Sequence, residues 1–301
     1  MNRNTVLVSG GNGYIALHLK KILKNNNYNI ISATRDMTGD LQMDFSNPNE
    51  ITALKVSGID TMIHTVTPNE GLYKSDPYRA LSENVMGIRA ALHFCVNNNI
   101  RNFIYFSSFH VFGESEGKLV ESTPISPRND YGLAHSTAEQ TVQMFDRTHR
   151  VNAWIIRPSN LFGVPESCEK FKRWNLIPFL FCKEAAEQHK ITLMTPGTQL
   201  RNFVGVSDVC KKVMWVLEHR PVDRIVHAYG NETLSVLQYA LLVQKIAIQE
   251  YGHLVDIIRP EGNDPVLEFE FTSQYHNMSE LEPIEELSVF VRRMLKVLLF
   301  R

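Results

Sequence analysis

Apolar and polar residues alternate in blocks through the first half of the chain. Thr5-Val6-Leu7-Val8 is a continuous apolar run, the pattern of a strand buried on both faces of a parallel sheet. From Tyr14 to Lys24 the apolar residues Ile15, Leu19, Ile22 and Leu23 recur at spacings of three and four, which predicts a helix. Asn25-Asn26-Asn27 breaks it, and Tyr28 to Ala33 predicts a second strand. Asp60 to Val66, Asn102 to Phe106 and Ala153 to Ile156 predict further buried strands. Long helices are expected over Tyr78 to Val96 and Tyr131 to Thr148. Strands alternating with helices fold as right-handed βαβ units, so the expected class is α/β with a parallel, doubly wound sheet.

After Arg157-Pro158 the rhythm weakens, and Pro165, Pro178, Pro196, Pro221, Pro260, Pro265 and Pro283 punctuate short elements. We therefore expect a dinucleotide-binding domain over 1–160, with 201–230 returning to it through a strand end and helix at Val204 to Leu217. The segments 161–200 and 231–301 would form a smaller α/β substrate lobe. At 301 residues and 44% hydrophobic the chain has ample material for such a core. Its 31 basic and 32 acidic side chains leave a net charge of −1, which argues against nucleic acid or an acidic membrane as partner. A small molecule is the expected ligand. Cys95, Cys168, Cys182 and Cys210 match neither a disulfide framework nor a zinc site; free thiols and no metal are expected. Met1-Asn2-Arg3-Asn4 runs straight into an apolar strand, and the run Leu176 to Phe181 is short and broken by Pro178. The expectation is a soluble cytoplasmic protein.

Ser9-Gly10-Gly11-Asn12-Gly13-Tyr14-Ile15-Ala16 lies between the first strand and the first helix. Glycines at such a junction let the backbone turn sharply and approach a pyrophosphate held at the helix N-terminus, as in a Rossmann-type fold. The segment VLVSGGNGYIALHL resembles the opening of the extended short-chain dehydrogenase/reductases, the NAD-dependent epimerase/dehydratase group that modifies nucleotide sugars. Gly10 and Gly13 match its GxxGxxG fingerprint, and Ala16 stands for the last glycine. The resemblance implies that Asn12, Tyr14 and Ile15 also line the cofactor. Counting on to the end of the second strand places Thr34 and Arg35 where an acidic residue would bond the adenosine ribose. Without a carboxylate there, and with a guanidinium suited to a 2′-phosphate, NADP is preferred over NAD; a solvated surface arginine is the alternative. Asp44-Phe45 resembles the adenine-contacting pair, and His64-Thr65-Val66 the cofactor-lining segment.

Further matches follow in the family's order. Asn84-Val85-Met86-Gly87 resembles its NVxG, and Phe106-Ser107-Ser108-Phe109-His110-Val111-Phe112-Gly113 its SSxxVYG. Tyr131 to His135 occupies the YxxxK position, and Arg157-Pro158-Ser159-Asn160-Leu161-Phe162-Gly163 resembles RPxNxYG. Arg201 to Val209 resembles RDFxxVxDV. The resemblance makes Tyr131 the catalytic tyrosine, Ser108 the catalytic serine, and Asn84 and Pro158 cofactor neighbours. It assigns Asn160, Trp174 and Arg201 to the substrate, Arg201 as a diphosphate clamp; His110 reads as packing or capping at the strand end, with a proton donor near the sugar as its functional alternative. Packing remains an equal reading for Trp174, and surface ion pairing an alternative for Arg201. Asp208 reads as a helix N-cap. The family's usual dimer implies a homodimer through the two long helices, whose Ala80, Leu81, Val85, Ile88, Val142 and Phe145 fit that or the sheet equally.

His135 is the informative departure, because the family's lysine binds the nicotinamide ribose and lowers the tyrosine pKa. A tyrosine of pKa about 10 is only ~0.1% ionised at pH 7, and an ordinary imidazole is charged in about a quarter of molecules. Oxidation or epimerisation begins from tyrosinate as base, whereas ketone reduction begins from neutral tyrosine as acid. The expected activity is therefore NADP-dependent reduction of a keto group on a nucleotide-linked sugar. Epimerisation is the second reading, and a cofactor-binding regulator without turnover the third. Dehydration is not expected, since Ser108-Phe109-His110 lacks the carboxylates of the family's Thr-Asp-Glu.

Overall fold

The computed structural model describes residues 4–113, 115–262 and 267–300. In chain order it begins with β1 (Thr5–Ser9), α1 (Tyr14–Asn25), β2 (Asn29–Thr34), β3 (Leu41–Gln42), α2 (Pro48–Ala53), β4 (Thr61–His64), α3 (Glu70–Ser75), α4 (Pro77–Asn97) and β5 (Asn102–Phe106). A 3₁₀ turn (Phe109–Phe112) precedes β6 (Gly117–Leu119), α5 (Asp130–Arg147), β7 (Asn152–Pro158), β8 (Asn160–Phe162), α6 (Ile177–Gln188), β9 (Lys190–Thr192) and β10 (Leu200–Gly205). The remainder is α7 (Val206–His219), β11 (Ile225–Ala228), β12 (Glu232–Ser235), α8 (Val236–Tyr251), β13 (Asp256–Ile258), β14 (Phe269–Phe271) and α9 (Leu287–Leu299). The chain forms two compact units, one from 1–114, 121–158 and 210–226, the other from 115–120, 159–209 and 227–301.

The first unit is built on a seven-stranded sheet of order β11-β7-β5-β4-β1-β2-β3. The pairings from β7 through β3 are all parallel. The order reverses at β1, between β2 and β4, and this switch point is where open α/β sheets bind ligands. Every residue of β4 and β5 is buried, as their unbroken apolar runs require when helices cover both faces. The core joins Leu7, Met62, Phe103 and Ile155 of the sheet to Ile88 and Phe94 of α4 and Val142 and Phe145 of α5. Ala80, Ile88, Val142 and Phe145 thus face their own unit, and the large apolar side chains that α4 and α5 leave exposed are Tyr78, Met86, Val96, Leu133 and Met144.

Capping explains where the long helices begin. Asp76 accepts from the Arg79 amide ahead of Pro77, and Asn129 accepts from the Gly132 amide at 2.8 Å.

In the second unit β10 pairs parallel with β8 and antiparallel with β12, while β9–β13 and β6–β14 form two small parallel ribbons. From 201–230, β11 joins the seven-stranded sheet, whereas β10 belongs to this separate three-stranded sheet. Asn202 ties it together: its Oδ1 accepts from Ser159 Oγ (2.7 Å) and the Gly230 amide (3.0 Å), and its Nδ2 donates to the Gly230 carbonyl (2.8 Å). Asp208 lies within the first turn of α7 rather than before it, and its carboxylate accepts from the Ile284 and Glu285 amides. Glu285 instead serves the α7 N-terminus, accepting from the Ser207 amide (3.2 Å) and hydroxyl (3.0 Å).

Candidate active site

The glycine loop leaves β1 at the switch point. Gly10 has φ +71°, in the left-handed region, and a Cβ there would lie 2.9 Å from Thr65 Oγ1 and 3.0 Å from Val66 Cγ2. Thr65 Oγ1 donates to the Ser9 carbonyl at 2.7 Å, so the loop after β4 closes tightly on the loop after β1. The Gly13 amide donates to the Gly10 carbonyl at 2.7 Å, and no side chain caps α1 at Gly13. Tyr14 and Ile15 open the helix half-buried, and Ala16 is fully buried. This backbone cradle, which a Cβ would fill, fits a dinucleotide pyrophosphate.

Beyond β2 the chain doubles back. Thr34 Oγ1 accepts from the Gly39 amide at 2.9 Å, and Asn12 Nδ2 donates to Thr38 Oγ1 at 2.7 Å. Thr38 donates in turn to Asp36 Oδ1 at 2.7 Å, which holds that carboxyl below its ordinary range. Sequence reading found no carboxylate at Thr34; the fold brings Asp36 into the same hydrogen-bond chain as Asn12. Arg35 is exposed and faces Asp44 with Nε 3.5 Å from Oδ1. Arg35, Phe45, His64, Val66, Asn84 and Gly87 line one cleft. A side chain at Gly87 would press on Phe45 at 3.3 Å, so the NVxG glycine gives the adjacent Phe45 room. His64, beneath the cleft, has Nδ1 2.9 Å from Ser9 Oγ, and burial pushes its imidazole down to about 3.

The second half of the site gathers at the start of α5. Gly132 lets that helix abut the 3₁₀ turn, since a Cβ there would be 2.4 Å from the His110 carbonyl. Tyr131 meets His135 edge-on, with ring centroids 4.6 Å apart, as one helical turn requires. His110 and Tyr73 each approach the Tyr131 ring edge-on at 5.6 Å. Tyr131 is half-buried, whereas His135 is 1% exposed with Nδ1 2.7 Å from the Tyr105 hydroxyl. The two serines separate cleanly. Ser107 donates to Glu139 Oε1 at 2.5 Å, while Ser108 accepts from the His110 amide at 3.3 Å and keeps its own proton available for another acceptor.

Sequence reading missed Glu139, a further helical turn past His135. Arg157 grips it with Nε–Oε1 2.8 Å and Nη2–Oε2 2.6 Å, and also donates to the Glu121 carbonyl. Both partners are buried, with the guanidinium 5.1 Å from the Phe112 ring centre. The four-residue spacing Tyr131, His135, Glu139 was the available signal. Pro158 ends β7 and is buried.

The remaining predicted residues lie in the second unit. Arg201 donates to Ser115 Oγ and the Leu200 carbonyl, each at 2.9 Å, and burial draws its guanidinium ionisation downward. Asn160 Nδ2 donates to the Asn202 carbonyl at 2.9 Å. Trp174 packs edge-on against Phe171 at 4.9 Å with Lys183 5.5 Å over its ring, so it is engaged within its own unit. The buried thiols of Cys95 and Cys182 are pushed up, Cys182 to about 12, which makes them inert. Among the described residues no helix is long and apolar enough to cross a membrane.

A glycine cradle at the switch point, with a strand-end serine and a helix-borne tyrosine in the same unit, defines an enzyme of the short-chain dehydrogenase/reductase type. The chain belongs to the NAD dependent epimerase/dehydratase family, whose model matches residues 6–228. It is 26% identical over 267 residues to the uncharacterized UDP-glucose epimerase YtcB of Bacillus subtilis, covering 80% of this chain and 82% of that one. It is 28% identical over 256 residues to bovine dTDP-D-glucose 4,6-dehydratase, covering 78% and 70%. Among solved structures, DesIV of Streptomyces venezuelae, a dTDP-glucose 4,6-dehydratase with NAD and TYD bound, matches with TM-score 0.80 at 18% identity, covering 97% and 96%. RMD of Pseudomonas aeruginosa, complexed with NADPH, matches with TM-score 0.81 at 18% identity, covering 99% and 100%.

Proposed function

We propose that this enzyme uses NADP to reduce a keto group on a nucleotide-linked sugar. The observation that carries the reading is the buried imidazole of His135, one turn from Tyr131, where an ammonium would favour tyrosinate. A bound reduced nicotinamide supplies the hydride. Tyr131 gives its hydroxyl proton to the carbonyl oxygen, and Ser108 donates to the same oxygen as charge develops there. Gly10 and Gly13 hold the pyrophosphate, and Phe45, Val66 and Asn84 line the dinucleotide's cleft. Arg35 supports the 2′-phosphate of NADP and Asp36 opposes it; of the structurally similar enzymes, RMD holds NADPH and DesIV holds NAD. A nucleotide sugar is supported by the relatives' names and by Arg201, whose remaining N–H groups suit a diphosphate. Exposed Met86, Val96, Leu133 and Met144 on α4 and α5 support a homodimer through those helices, and the free thiols support the cytoplasm.

The purified protein should consume NADPH when given UDP- or dTDP-linked keto-deoxyhexoses, with NADH a poorer donor. Tyr131→Phe should lower kcat by about 10²- to 10⁴-fold. Failure of every keto-sugar nucleotide to oxidise NADPH would overturn the reading. Epimerisation of a UDP-linked hexose is favoured by the naming of YtcB as a UDP-glucose epimerase. That reaction would convert UDP-glucose to its epimer without added coenzyme. His135→Lys separates the two, since it should help a reaction begun by hydroxyl oxidation more than ketone reduction; a large gain in reduction alone would contradict the acid role.

A further inference from the structure

Tyr105 belongs to β5, is fully buried, and stands outside the serine and tyrosine motifs. Its hydroxyl lies 2.7 Å from His135 Nδ1. On its other side stands Asn84 of α4, 4% exposed, which hydrogen-bonds the same hydroxyl and donates Nδ2 to the Tyr73 hydroxyl at 3.1 Å. One Nδ2 hydrogen goes to Tyr73, and hydrogen bonding from Asn84 pulls the Tyr105 phenol pKa downward, the effect of a donor at the phenol oxygen, so Asn84 serves as a donor to both phenols. Tyr105 then receives at its lone pair and has a single O–H to give. The imidazole nitrogen at 2.7 Å is the acceptor in its path. Burial, with the Glu139 carboxylate nearby, pushes the Tyr105 phenol well above the ordinary tyrosine range, so it keeps that proton.

A neutral imidazole has one donor nitrogen and one acceptor nitrogen, and a hydrogen bond at one fixes the role of the other. We infer that Tyr105 and Asn84 are positioning residues that lock His135 as the neutral tautomer with its proton on Nε2. The inference deepens the reading of Tyr131 as a proton donor and rests on it for its catalytic meaning. In the resemblance a lysine supplies both a charge and a donor. His135 in this state supplies the donor without the charge, which leaves Tyr131 protonated for the reduction. Protonating the ring would set an Nδ1 hydrogen against the Tyr105 hydrogen and turn the phenol away from its partner. A buried phenol and an amide, three residues before the catalytic serine and on the neighbouring helix, thus do by hydrogen bonding what composition alone does not reveal.

The test is the ring ¹⁵N spectrum of His135 in the full-length protein, its signals assigned by their loss in His135→Gln. The wild type should show a protonated Nε2 and an unprotonated Nδ1. Tyr105→Phe, which removes the donor, should shift the ring toward an Nδ1–H population. Asn84→Asp is nearly isosteric and turns a donor into an acceptor. It should draw the Tyr105 proton away from His135 and give the Nδ1–H tautomer, so the test survives a poorly folded Tyr105→Phe. In turnover, Tyr105→Phe should lower kcat for keto reduction about tenfold with KM unchanged, and should have no further effect in a His135→Lys background. An Nδ1–H ring in the wild type, or ring signals unmoved in both variants, would overturn the inference. If the tautomer and its shifts are as stated but no keto-sugar nucleotide is reduced, the positioning role stands and the reductase reading falls.

Discussion

Glu139 and Arg157 make the heaviest electrostatic commitment of any two side chains near the site, with 0% and 3% of their side chains exposed. Removing one partner of a buried pair strands the other charge and costs about 3–5 kcal/mol, whereas replacing both with apolar groups is often close to neutral. Glu139→Gln should therefore lower the unfolding free energy by about 3 kcal/mol, and Glu139→Leu with Arg157→Met should recover most of it; urea titrations of the three variants decide. The pair also orders the neighbouring strand end, since Glu139 accepts from Ser107 while Ser108 accepts from the His110 amide. The sequence made Tyr131, His135 and Ser108 visible because each sits in a short local pattern. Glu139 and Arg157 escaped it because 18 positions separate partners on different elements, and either reads alone as a surface charge.

At the scale of elements, the start of α5 is where packing sets the chemistry. Asn129 caps it, Tyr131 is the second helical residue, and Gly132 permits close approach to the 3₁₀ turn that Ser108 begins. Gly132→Ala would force a methyl to 2.4 Å from the His110 carbonyl, so the helix start must move away. Its kcat should fall at least tenfold while the Kd for the nicotinamide cofactor, whose cradle is the loop after β1, changes little; fluorescence titration with steady-state kinetics separates these. Periodicity placed α1, α4 and α5 within a residue of their observed ends, because each has one wide apolar face. The later elements were illegible for a physical reason. Several of the strands from β8 onward are only three or four residues long, and their partners are distant, as when Ile191 pairs with Ile257. Asp208 illustrates the limit: local sequence made it a cap for the helix it precedes, yet its acceptors serve amides 76 and 77 positions away.

For the molecule as a whole, the net charge of −1 says little about how stability responds to pH; one buried base under the cofactor cleft says more. His64 stacks near Phe103 and Tyr105, meets Phe45 edge-on, and bonds Ser9 Oγ as a neutral ring. Burial pushes it down to about 3, while in the unfolded chain it would titrate near the ordinary value of about 6.5. Between those values the unfolded state binds a proton that the folded state refuses, so stability falls as pH falls through that window and is unaffected by this group above it. The slope approaches 1.4 kcal/mol per pH unit, which gives about 2–3 kcal/mol lost between pH 7 and 4.5. His64 links β4 to β1, so the loss should be felt first where the glycine loop leaves the sheet. Protection factors of the β1 and β4 amides, taken relative to the intrinsic exchange rate at each pH, should fall on acidification, and a nicotinamide dinucleotide bound to the folded protein should raise them again. His64→Leu keeps the volume and removes the titration, and its β1 amides should lose much of that pH dependence. If the variant and the wild type show parallel slopes, another group drives the acid response and His64 is only a packing residue.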